Sequence, residues 1–165
     1  MQVFFNTLDN LLKWLLIFLM ALMVVDVSWQ VFSRFVLNAP SSYTEEIARF
    51  LLIWIGLLGA SYAYKAKAHL GIDVLVKKFP PAAEKMAYVG MHIISGLFAL
   101  IVMIGGGIRL VNLALELEQT SAALGIPMGH VYVVVPLSGL FILYYALRFI
   151  FTPASITEQE LKGNL

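Results

Sequence analysis

The chain has 165 residues, of which 61% are hydrophobic and 13% charged, and it contains no cysteine. A soluble domain of this length carries about twice that charge, so this chain cannot cover a water-facing surface and its natural solvent is lipid. A net charge of +1, with no basic patch interleaved with aromatics, offers nothing to nucleic acid, and without cysteine neither a disulfide framework nor a thiolate metal site is available.

A bilayer core about 30 Å thick needs about 20 apolar residues as a helix. Four stretches qualify, at about residues 11–35, 47–64, 86–115 and 131–151. Backbone groups in lipid must be bonded within their own segment, so each stretch is expected to be an α-helix. The expected fold is all-α: one integral membrane domain over residues 1–165 with four transmembrane helices.

The first run lacks a basic leader and a small-residue cleavage site, and reads as an uncleaved anchor. Asp26 lies near its middle. An acid there is costly, so it is expected to be neutralised, paired or facing a polar cavity. By depth it falls near Ser61, Tyr62 and Tyr144 and near no basic residue.

The second run is preceded by Tyr43, Thr44, Glu45 and Glu46. Thr44 is expected to cap the helix, with the two glutamates at its positive N-terminal end. Glu45 and Arg49 are spaced to pair on one face. Trp54 follows, and Gly56, Gly59, Ala60 and Ala63 form a small-residue face suited to close helix packing.

After the second run, Ile72, Leu75, Val76 and Phe79 recur at helical spacing, with Lys77 and Lys78 off that stripe and Pro80 and Pro81 as a stop. A short amphipathic helix over about 72–79 is expected to lie in the membrane plane, its lysines toward anionic lipid headgroups. The third run is too long for its task. From Glu84 to Leu115 a straight helix reaches about 48 Å, so it must tilt, protrude or break. Gly105, Gly106 and Gly107 are the weak point, read as close packing in preference to a hinge.

The connection "LEQTSAALGIPMGHVY" leads to the fourth run. Its Leu124, Ile126 and Met128 either fold onto the chain's own helices or form a docking surface for another protein. Lys65, Lys67, Lys77, Lys78 and Lys85 crowd the connection between the second and third runs, which places that connection and both termini in the cytoplasm.

His69, His92 and His130 do not form a matched pair of haem ligands by depth, and no nucleophile–base set, carboxylate pair or phosphate loop is present. No enzyme activity, cofactor or metal is expected. A haem-binding redox subunit and a small homo-oligomeric channel using Asp26 are the alternatives.

The ordered set Tyr43, Glu45, Glu46, Arg49, Trp54, Gly59, Ala60, His69 and Asp73 resembles the hallmark of the small membrane subunit of tripartite ATP-independent periplasmic transporters. Thr120, Ser121, Leu124, Ile126, Pro127, Tyr132 and Pro136 are similar to that family's second signature. Tyr43 stands where the family often has Trp, and Gly129 where it often has an aromatic. The resemblance implies a bacterial inner-membrane scaffold subunit. Its partners would be a large, sodium-driven membrane subunit and a periplasmic binding protein that delivers an organic acid of the sialic acid or C4-dicarboxylate type. It also implies that Tyr43, Glu45, Glu46, Arg49, Trp54, Gly56, Gly59, Leu124, Ile126 and Met128 contact those partners.

Overall fold

The computed structural model describes residues 2–39, 41–66 and 81–151. In chain order they form α1 (Gln2–Phe35), α2 (Ser42–Lys65), α3 (Pro81–Phe98), a π-helical stretch (Ala99–Gly106), α4 (Gly107–Glu116), α5 (Met128–Tyr132) and α6 (Val134–Phe151). Among the described residues, four helical runs are long and apolar enough to cross a membrane: Thr7–Phe35, Ser42–Lys65, Met86–Glu116 and Met128–Phe151. The all-α membrane architecture anticipated from the apolar runs is the one the chain adopts. The in-plane helix expected over 72–79, with Ile72, Leu75, Val76, Lys77, Lys78 and Phe79, lies outside the described residues, as do His69 and Asp73.

The helices outrun the apolar stretches that announced them, because hydrocarbon contact sets the stretch and backbone bonding sets the helix. The clearest case is α2, which begins at Ser42 rather than Ile47. Thr44 therefore sits inside the first turn and does not cap it. Its hydroxyl donates to the Ser41 carbonyl at 3.0 Å, the back-bonding open to a threonine already inside a helix.

Packing divides the chain into two compact units, Met1–Tyr62 with Arg109–Val134, and Ala63–Ile108 with Val135–Leu165. In the first, α1 turns one stripe inward. Leu12, Leu19 and Ser33 are buried and Asp26 half-buried, each seven residues from the next, the spacing that keeps one helix face in register. The opposite face carries exposed Trp14, Phe18, Val25 and Phe32, as lipid requires. In the second unit, α6 packs on α3 and the π-helical stretch. Gly96 meets Ala146 and Leu143. A Cβ on Gly139 would stand 2.8 Å from Met103 Cβ and 3.2 Å from the Ala99 carbonyl oxygen, so only glycine allows this approach.

The long third run neither stays a plain α-helix nor breaks. It widens to π geometry over Ala99–Gly106 and returns to α at Gly107, whose N–H reaches the Met103 and Ile104 carbonyls. Of the three consecutive glycines, only Gly107 is packed tightly: a Cβ there would lie 2.8 Å from Pro136 Cδ. The close-packing reading therefore holds for Gly107 and not for its two neighbours, which are exposed.

Candidate functional site at the Glu46 loop

The first unit contains a structured loop between α4 and α5, built almost wholly of backbone bonds. Helix α4 ends in a Schellman motif. Gln119 N–H returns to the Ala114 carbonyl at 3.0 Å and Glu118 N–H to Leu115 at 3.1 Å, with Glu118 in the left-handed region at φ 48°. The strands of the loop then pair. Met128 N–H donates to the Gln119 carbonyl at 2.7 Å and Ser121 N–H to Ile126 at 2.9 Å, around the Thr120–Pro127 bridge. At the tip, Gly125 N–H closes a single turn onto the Ser121 carbonyl at 3.1 Å, with Gly125 at φ 65°.

A single helical turn leaves its first N–H groups without partners. Here they are Ala122, Ala123 and Leu124, and all three donate to Glu46. Ala122 N–H reaches Oε1 at 3.0 Å, while Ala123 and Leu124 reach Oε2 at 3.0 and 2.8 Å. Beside them, the Ser121 hydroxyl accepts a hydrogen bond from Ile126 N–H at 3.1 Å. Charge-assisted bonds such as those to Glu46 are the strong ones, and they span more than 70 positions of sequence.

The two adjacent glutamates thus have different tasks. Glu45 pairs with Arg49 at 3.3 Å across one turn, as its spacing implied, but both side chains are more than half exposed. Such a pair contributes little to stability. Tyr43 is 58% exposed. Trp54 is half-buried and donates its indole N–H to the Val131 carbonyl at 3.1 Å. Leu124 and Met128 are half-buried against the chain itself, whereas Ile126, Ala122 and Leu117 face outward. The open question about this loop is therefore answered residue by residue: it folds onto its own helix through Glu46 and still displays apolar side chains.

Gly129, which sequence alone marked only as a departure, is buried where α5 crosses α4. A Cβ would lie 2.5 Å from Leu115 Cγ and 3.2 Å from the Val111 carbonyl oxygen. No larger side chain fits this crossing without displacing Leu115. Gly56 and Gly59 behave oppositely: a Cβ on either meets no described atom within 4 Å. The Gly56 face of α2, with Glu45, Arg49, Leu52 and Ala60, is exposed among the described residues.

Asp26 lies on the inward stripe of α1, half-buried. Its Oδ2 is buried and, among the described residues, accepts no hydrogen bond. In the second unit, sequence reading missed an aromatic cluster around His92. The Tyr64 hydroxyl and His92 Nδ1 share a hydrogen bond at 2.6 Å. Tyr88 meets the imidazole edge-on at 4.6 Å between centroids, and Phe149 lies at 5.0 Å. Tyr64 and His92 are both buried. The only available signal was the concentration of rings near the ends of the second and fourth runs.

Residues 22–155 match the family model for the DctQ component of tripartite ATP-independent periplasmic transporters. The chain is 28% identical to the sialic acid TRAP transporter small permease protein SiaQ of Vibrio cholerae, over 93% of each chain. It is 30% identical to the C4-dicarboxylate TRAP transporter small permease protein DctQ of the same organism, over 47% of this chain and 34% of that one. It is also 29% identical to the isethionate TRAP transporter permease protein DctMQ of Oleidesulfovibrio alaskensis, where 61% of this chain matches 16% of a much longer one.

Proposed function

The chain belongs to the DctQ family of tripartite ATP-independent periplasmic transporters, as a membrane subunit of a transporter and not an enzyme, and from that premise we propose that it is the static support on which a larger membrane subunit moves an organic acid. The observation that carries this reading is how the chain spends its polar groups. Glu46 and Trp54 are committed to holding its own loop and helices, while the Gly56 face of α2 is left open among the described residues. A small-residue face in lipid is where another helix backbone can approach closely.

The isethionate relative supports the choice of partner, since there the matching segment is one part of a long permease chain. By this reading the large subunit carries a sodium-coupled substrate of the sialic acid or C4-dicarboxylate type. A periplasmic binding protein delivers it to the Glu46 end, and the chain sits in the inner membrane with both termini in the cytoplasm. Lysine placement supports that sidedness. Reconstitution tests the assignment. The chain alone should move no substrate, and uptake should appear, with sodium dependence, only when the large subunit and the loaded binding protein are both present. Sodium-driven uptake by the small chain alone would defeat it.

A further inference from the structure

We propose that Glu46 is a positioning residue for delivery: it sets the 119–128 loop in its docking shape before the substrate-carrying periplasmic protein arrives. The inference rests on the transporter reading above. Both Glu46 oxygens are occupied by the loop's own N–H groups, so the side chain acts through the loop and not by touching the partner. The tip is a single turn, which does not persist on its own. Without the carboxylate its N–H groups turn to water, and the tip must be ordered anew each time a partner docks.

With the tip donors already spent, the loop offers exposed Ala122, Ile126 and Leu117, bordered by the exposed carboxylates of Glu116 and Glu118. The matching partner surface is an apolar patch flanked by lysine or arginine.

The test uses the complete reconstituted transporter, with binding protein loaded with N-acetylneuraminate or succinate, whichever drives uptake in the wild type. Glu46→Gln keeps the size but turns an NH2 group toward N–H donors. It should raise the half-saturating concentration of loaded binding protein about tenfold and leave the maximal rate within about twofold of wild type. Lys13→Gln, at an exposed position of α1 outside both the loop and the Gly56 face, should change neither. Unchanged half-saturation, or a loss confined to the maximal rate, overturns the proposal. Should Glu46→Gln fail to assemble, Ser121→Ala decides by the same two readouts, with an expected rise of about threefold. If the wild type shows no uptake at all, the transporter reading fails instead, whatever the variants do.

Discussion

The Trp54 indole N–H donates to the Val131 carbonyl at 3.1 Å, tying the middle of α2 to the end of α5. Helix α5 ends at Tyr132. The last carbonyls of a helix have no partner within it, and Trp54 supplies a donor for that of Val131. Trp54→Phe keeps the ring and leaves that half-buried carbonyl unbonded. The expected loss is about 1–3 kcal/mol, read as a lower thermal midpoint of the purified subunit in detergent. An unchanged midpoint would mean the carbonyl finds another donor.

Tyr64→Phe tests the second unit in the same way. It removes the hydroxyl that shares a 2.6 Å bond with His92 while keeping the ring beside Phe149. A buried polar bond lost on one side costs about 1–3 kcal/mol. His92→Phe, which removes the polar group on the other side, should not add its full cost in the double variant, because both changes delete one interaction. A double-mutant cycle by thermal melts gives the coupling, and strict additivity would show that the bond contributes nothing.

Two glycine-to-alanine changes should separate internal packing from partner packing. Gly139→Ala places a methyl 2.8 Å from Met103 Cβ, and overpacking of this kind costs about 1–3 kcal/mol. Gly56→Ala meets no described atom within 4 Å and should leave the isolated subunit equal or up to about 1 kcal/mol more stable by helix propensity. Co-purification of the large subunit should nevertheless fall with Gly56→Ala. Full recovery of the complex would remove this face from the proposed contact.

Glu118 holds φ 48° at the end of α4, a conformation that costs a side-chain-bearing residue about 1–2 kcal/mol. Glu118→Gly should therefore raise stability by about 0.5–1 kcal/mol, against the usual destabilising effect of glycine. Chemical denaturation in mixed micelles reads the sign directly, and a destabilised variant would show that the carboxylate has a bond worth more than the strain.

Much of this architecture is legible in one dimension, and what escapes does so for identifiable reasons. The four apolar runs and the Glu45–Arg49 pair are local patterns, set by lipid and by helical spacing. The destination of Glu46 is not, because its donors lie more than 70 residues away and are backbone groups, which carry no residue identity. Thr44 looks like a cap only while the apolar run is taken as the helix. Gly129 reads as a gap until Leu115 is seen against it. The π-helical stretch is invisible because "ALIVMIGG" is apolar on every side, so no face reports the change in winding.

That change in winding fixes what comes next. Each residue of an α-helix advances the azimuth by about 100°, so the wider turn over Ala99–Gly106 sets which way Gly107 faces. A one-residue deletion there would bring Ile108 to the place against Pro136 where even a Cβ on Gly107 would stand 2.8 Å from Cδ. The demand for a glycine is thus written by the turns before it, in a segment whose own side chains give no sign of it.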